Sequence, residues 1–140
     1  MARIRDVVVD CAKPIVLARW WVQVLEDYEI APYGPDDPDP EDDWTVLVLP
    51  GPEGGPRLWF TQVPEAKVVK NRVHLDLSAD DPAAELTRLT GLGARVLSET
   101  DGLTVLADPE DNEFCLLKEQ PPGHRGTRRS RKISPARTCW

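Results

Sequence analysis

The chain has 140 residues, of which 41% are hydrophobic and 29% charged, as expected for one globular domain. No apolar run approaches the roughly 20 residues that span a membrane, and no signal-peptide core follows Met1, so we expect a cytoplasmic protein without membrane contact. The formal net charge is −7, but residues 1–120 hold all 24 acidic residues against 11 basic ones, a charge of −13 that argues against nucleic acid as a partner.

The first half of the chain contains one helical pattern among strand-like segments. Residues 6–11 are β-branched and predict a strand, and Pro14 begins a helical apolar pattern over residues 15–25. Residues 35–43 combine prolines with like charges, which predicts an exposed loop because neither helix nor strand ladder accommodates that proline density. Three further strands are predicted at residues 28–33, 44–49 and 57–63.

The second half repeats this order. A shift of the chain by 68 residues places Asp6 on His74 and Pro14 on Pro82. Both halves therefore show a strand, a proline-initiated helix and three strands, which predicts an α+β fold of two βαβββ modules in a domain over residues 1–120. The modules span about residues 3–65 and 70–119. The elements of the second are predicted at residues 73–78, 82–90, 94–98, 103–107 and 113–118.

Two features lie outside this repeat. Residues 121–140 are rich in Pro, Gly, Ser and Arg without periodicity, and predict a disordered basic tail. The three cysteines, Cys11, Cys115 and Cys139, are far apart and lack Cys-x-x-Cys spacing. We expect neither a disulfide framework nor a zinc knuckle, and this usage fits a reducing compartment.

Three motifs of the second half resemble glyoxalase-like proteins of the vicinal-oxygen-chelate superfamily. They are NRVHLDL at residues 71–77, LTGLGARVL at 89–97 and DPEDNEF at 108–114, where Asp111 replaces the usual glycine of the turn. Aspartate tolerates a left-handed backbone better than most residues, so the turn is retained. The resemblance covers about residues 3–119. It implies a cup-shaped mixed sheet with helices on its convex face and a cleft on its concave face.

The resemblance also implies a set of site positions. Metal-dependent members bind a divalent cation with one residue from each of four strands, and these positions fall on Asp6, Trp59, His74 and Cys115. Tryptophan cannot ligate a metal, which leaves Asp6, His74 and Cys115 as candidate ligands, and a thiolate among them shifts the preference toward zinc. The alternative is a degenerate metal site that is reused as a pocket for an organic ligand.

Side-chain alternation supports this pocket without the family. Apolar residues of the strand at 73–78 alternate with His74 and Asp76, so both polar side chains share one face. Trp59 is the predicted stacking wall for a planar ligand, and Trp20 is placed at the rim. His74 is either a pocket acid–base group or a hydrogen-bonded strand histidine, and Cys115 either a nucleophile or a packing thiol. We expect Asp6, Trp59, His74 and Cys115 to converge on one cavity.

Three functions are compatible with these residues. We favour a small-molecule-binding protein that sequesters an aromatic or cationic metabolite or antibiotic, as bleomycin-resistance relatives do. The alternatives are a metal-dependent lyase, isomerase or dioxygenase acting on a small oxygenated substrate, and a structural or regulatory module. We expect no organic cofactor, since no phosphate-cradling glycine loop is present, whereas a divalent metal remains open. We also expect a homodimer, which would cover sheet edges and apolar helix faces.

Overall fold

The computed structural model describes residues 1–32 and 40–118. The chain divides into two compact units, Met1–Val68 and Val69–Trp140. Within the described ranges, no helix has the length and apolar character needed to cross a bilayer. The elements in chain order are β1 (Asp6–Cys11), α1 (Pro14–Val24), β2 (Tyr28–Ile30), a 3-10 turn (Pro40–Asp42), β3 (Thr45–Pro50), β4 (Arg57–Gln62), β5 (Asp76–Leu77), α2 (Pro82–Gly91), β6 (Arg95–Glu99), β7 (Leu103–Ala107) and β8 (Glu113–Leu117).

The first unit is a four-stranded mixed sheet with α1 packed on one face. The strand order is β1-β4-β3-β2, with β1 parallel to β4 and the other pairs antiparallel. Proline stands in the first turn of α1, where its missing N–H has no partner to lose, and the helix contacts β3 and β4. Alternate sheet residues are buried with the apolar stripe of this helix: Val46, Val48, Leu58 and Phe60. The opposite sheet face is less buried.

The second unit repeats this topology with the order β5-β8-β7-β6. Helix α2 begins at a capped turn, because the Asp81 carboxylate accepts hydrogen bonds from the backbone N–H groups of Ala83 and Ala84. It ends before Gly93, whose φ of 102° lies in the left-handed region that favours glycine. Every residue of β7 is buried, so β7 forms the centre of this unit.

The predicted α+β fold of two βαβββ modules is confirmed, and the main differences concern strand length. The strand predicted over residues 73–78 pairs with β8 only at Asp76 and Leu77. Val73 is 78% exposed and gains little from joining the sheet. The predicted loop at 35–43 ends in a 3-10 turn at Pro40–Asp42, while residues 35–39 and the predicted tail lie outside the described residues.

Candidate ligand-binding site

The strand register places the candidate residues of the two units at equivalent positions. Val8 lies beside Trp59 in the first unit, and Asp76 lies beside Cys115 in the second. Two residues before Val8 and Asp76 stand Asp6 and His74, which the 68-residue repeat had aligned. In each unit, therefore, one pair of equivalent residues lies side by side on two adjacent parallel strands. The pairs are Val8 with Trp59 and Asp76 with Cys115.

An apolar row crosses the less buried face of the first sheet. Trp59 on β4 lies between Val8 on β1 and Leu47 on β3, and we call these three residues the Trp59 row. Val8 is 58% exposed, and Trp59 and Leu47 are partly exposed. Neighbouring strands lie about 4.8 Å apart, so three of them present an apolar strip about 10 Å wide. A strip of this width matches the face of a small aromatic ring system.

An ion pair bounds the Trp59 row on one side. The Asp6 carboxylate accepts hydrogen bonds from Nε and Nη2 of Arg57, both at 2.6 Å and both to Oδ1. Arg5 lies 3.5 Å from the other carboxylate oxygen. A metal at Asp6 would have to compete with two guanidinium groups for these oxygens. Asp6 is therefore already paired with arginine side chains within its own unit.

Hydroxyl groups and a carboxylate bound the row on the other side. The side chains of Thr45 and Thr61 share a hydrogen bond of 3.1 Å. The exposed Asp10 is the neighbour of Thr61 on β1. The Trp59 row thus runs between two polar rows, one holding Arg57 with Asp6 and the other holding Asp10.

Trp20 lies in the interior of the first unit. It is 6% exposed, and its ring meets that of Trp21 edge-to-face, with centroids 5.2 Å apart. Consecutive helix residues are both buried here, which the sequence-based placement of Trp20 at a rim did not anticipate. That rim placement stays a prediction, and this burial does not favour it.

The second unit brings three potential metal ligands together. His74 Nε2 lies 3.3 Å from Asp76 Oδ1, and one ligand atom each from His74, Asp76 and Cys115 lie within 4.8 Å of one another. We call these residues the His74 cluster. The side chains of His74 and Asp76 are 28% and 40% exposed, whereas Cys115 is buried beside Leu103 and Val105. The cluster therefore joins a solvent-accessible imidazole and carboxylate to a buried sulfur.

The state of Cys115 corrects one expectation from the sequence. Cys115 is disulfide-bonded, whereas the buried Cys11 keeps a thiol that lies 3.6 Å from the carbonyl oxygen of Thr61, and Cys139 lies outside the described residues. Cys115 was predicted to be a thiol, either a nucleophile or a packing group, and its disulfide contradicts both interpretations. Spacing along the chain does not determine which sulfurs meet in space. A sulfur in a disulfide is not a thiolate, so Cys115 can ligate a metal only after reduction.

The four-strand metal site of the superfamily does not fit the first unit. Trp59 offers no donor atom, and Arg57 occupies the carboxylate of Asp6. Arg57 was not among the residues predicted from the sequence. It lies two residues before Trp59 on β4 and therefore shares its face of the sheet. That Asp6 and Trp59 share one cavity with His74 and Cys115 remains a prediction.

These features define an α+β protein of two βαβββ units whose sheets carry candidate ligand-binding residues. A family model described as a glyoxalase-like domain matches residues 6–117, and the chain belongs to this family. The predicted membership of the glyoxalase-like superfamily is thereby confirmed. No curated protein matches the sequence.

Solved structures show the same fold. The fosfomycin resistance protein FosX from Mesorhizobium loti is 14% identical, with a TM-score of 0.62 over 86% of this chain and 94% of that one. The trypanothione-dependent glyoxalase I of Leishmania major is 13% identical, with a TM-score of 0.60 over 84% and 87%. A bleomycin-binding protein in complex with bleomycin is 13% identical, with a TM-score of 0.52 over 86% and 100%. At these identities the likeness establishes the fold alone.

Proposed function

We propose that this protein binds a flat aromatic molecule carrying positive charge, such as a metabolite or an antibiotic, with Trp59 as its stacking wall. The observation that carries this proposal is the Trp59 row. By the family resemblance, its tryptophan lies at a position that holds a metal-ligating residue in metal-dependent relatives. An indole flanked by Val8 and Leu47 offers an apolar surface to a planar ring.

The acidic balance of residues 1–120 supports a cationic ligand. Residues 1–120 carry a formal charge of −13, and the exposed carboxylate of Asp10 belongs to the row beside Trp59. A cation above an indole ring is attracted by the negative face of the ring, an interaction of about 0.5–2 kcal/mol. An anionic ligand is attracted neither by the acidic charge nor by the negative face of the indole ring.

One relative of this fold supports a binding role. It is the bleomycin-binding protein named above, which was solved with bleomycin. Since Trp59 supplies no donor and Asp6 is paired with Arg57, the first unit favours binding over metal-dependent lyase, isomerase or dioxygenase chemistry. Stacking on Trp59 requires no metal.

Three probes of one shape and different charge test this proposal. N-methylquinolinium is cationic, quinoline is neutral at pH 8 and quinoline-2-carboxylate is anionic. We expect affinity to fall in that order, measured by tryptophan fluorescence quenching and by ligand-observed NMR. Trp59→Ala should weaken binding of the cation by about 1–3 kcal/mol, because both stacking and burial are lost.

Trp44→Ala is the matched control. Trp44 is 65% exposed and precedes β3 outside the Trp59 row, so its removal should leave the affinity unchanged. Equal affinity for all three probes would contradict the charge preference. Unchanged binding in Trp59→Ala, or no binding of any probe, would contradict the proposed site.

A further inference from the structure

We propose that Asp10, together with the hydroxyl pair of Thr45 and Thr61, binds a primary ammonium group of the ligand, which extends from Trp59 toward Asp10 and away from Arg57. This inference rests on the proposed function, because it takes the aromatic ring of the ligand to lie on Trp59. It adds a ligand class to that function. The ligand is an aromatic amine whose ammonium group is carried on a short flexible linker and not within the ring.

The two sides of the Trp59 row differ in charge. On one side, the Asp6 carboxylate accepts hydrogen bonds of 2.6 Å from Arg57 and lies 3.5 Å from Nε of Arg5, so two guanidinium groups surround one carboxylate. On the other side, Asp10 is exposed and makes no hydrogen bond or ion pair with any residue of the ranges 1–32 and 40–118. A cationic group of the ligand is therefore repelled on the Arg57 side and attracted on the Asp10 side.

Three polar side chains lie side by side on the Asp10 side. Asp10 and Thr45 are the neighbours of Thr61 on the two adjacent strands, and the Oγ1 atoms of the two threonines lie 3.1 Å apart. When one hydroxyl donates to the other, both oxygens keep a lone pair that can accept a further hydrogen bond. An ammonium group has three N–H donors, which one carboxylate and two hydroxyl oxygens can accept. A quaternary ammonium group has the same charge but no donor.

Strand geometry determines the length of the linker. Residues two apart on a strand are separated by about 6.7 Å and paired strands by about 4.8 Å, which places Asp10 on β1 about 8 Å from Trp59 on β4. A charge-assisted hydrogen bond covers about 2.8 Å of this distance. The ammonium nitrogen should therefore lie about 5 Å from the centre of the stacked ring, a separation that a linker of about two carbons spans.

Glu29 distinguishes a local contact from general attraction by negative charge. It is exposed and lies on β2 beside Leu49 of β3, on the Arg57 side of the Trp59 row. Strand β3 separates it from Arg57 on β4. Loss of either carboxylate, that of Glu29 or that of Asp10, changes the charge of the first unit equally, but only Asp10 lies beside the hydroxyl pair.

Three naphthalene probes test the ligand class. At pH 7, 2-(naphthalen-2-yl)ethylamine carries a primary ammonium group, its N,N,N-trimethyl derivative carries a quaternary one, and 2-(naphthalen-2-yl)ethanol is neutral. Titration of the full chain by ligand-observed NMR should show that the primary amine binds about three- to tenfold more tightly than either of the others. If the trimethyl derivative bound as tightly as the primary amine, or no probe bound, the ammonium contact would be refuted.

Variants of matched side-chain size assign this contact. Asp10→Asn should weaken binding of the primary amine about three- to tenfold, and Thr61→Val about two- to fivefold. Glu29→Gln is the matched control and should stay within about twofold of wild type. Equal losses in Asp10→Asn and Glu29→Gln would overturn this inference alone, since the proposed function would stand as long as Trp59→Ala still weakened binding. Unchanged affinity in Trp59→Ala would overturn both.

Discussion

Asp6 and His74 occupy equivalent positions of the two units, yet their partners give them different chemistry. Arg57, the strand neighbour of Asp6, neutralises that carboxylate at 2.6 Å. His74 instead meets Asp76 of its own segment at 3.3 Å, beside the sulfur of Cys115. The neighbouring side chain therefore decides whether the carboxylate or imidazole at this position is already engaged within its unit.

A pH-dependent stability is expected at Tyr28. Its hydroxyl donates a hydrogen bond of 3.0 Å to the carbonyl of Pro56, and burial raises the pKa of Tyr28 above its ordinary value of 10.0, although a backbone hydrogen bond from Gly55 opposes this. The folded state then holds the phenolic proton more tightly than the unfolded state. The stabilisation is present below the ordinary pKa and is lost as the pH rises through the folded-state pKa.

Denaturant unfolding of wild type and Tyr28→Phe at about pH 8 and pH 11 measures this effect. We expect the free energy of unfolding of wild type to fall relative to Tyr28→Phe between these values. A constant difference between the two proteins would contradict the raised pKa.

At the scale of elements, two glycines separated by one residue at the end of α2 should respond oppositely to substitution by alanine. Gly93 has a φ of 102°, whereas Gly91 is the last residue of the helix, and an added Cβ meets nothing within 4 Å at either position. Only backbone conformation therefore distinguishes them. Gly93→Ala should lower the free energy of unfolding by about 1–2 kcal/mol. Gly91→Ala should raise it by up to about 1 kcal/mol, and losses of equal size would contradict this account.

The N-terminus of α2 depends on one carboxylate. Asp81 accepts hydrogen bonds from two backbone N–H groups at 3.1 and 3.0 Å. Asp81→Ala should therefore cost about 0.5–2 kcal/mol of unfolding free energy. The exposed Asp101, in the turn between β6 and β7, is the matched control, and Asp101→Ala should stay within about 0.5 kcal/mol of wild type. If Asp81→Ala and Asp101→Ala lowered the unfolding free energy equally, the loss would come from removal of a negative charge and not from removal of the helix cap.

At the scale of the whole molecule, we expect a homodimer. The described residues leave several apolar side chains in solvent, among them Val68, Val69 and Val73 at 88%, 73% and 78% exposure. A strand edge is also available at β6, where Val96 and Leu97 are 44% and 43% exposed. Pairing of two copies would cover such surface. Size-exclusion chromatography with light scattering at micromolar concentration should give twice the chain mass, and a monomer mass would contradict the prediction.

The sequence by itself determined the order of elements and the equivalence of the two units. Pro14 and Pro82 each begin a helix, and Asp6 and His74 fall at equivalent positions of the repeat. These features could be predicted because helix initiation and side-chain alternation depend on residues close together along the chain. The resemblance to glyoxalase-like proteins picked out Trp59 and Cys115, and the strand register shows that these two positions are equivalent in the two units.

Only the tertiary structure decided which side chains meet. Arg57 reaches Asp6 across 51 residues because β4 lies parallel to β1 in a particular register. The His74 cluster likewise depends on the pairing of Asp76 with Cys115 across β5 and β8. Strand register and burial arise from packing of distant segments, so they determine whether a candidate ligand is free, paired or oxidised.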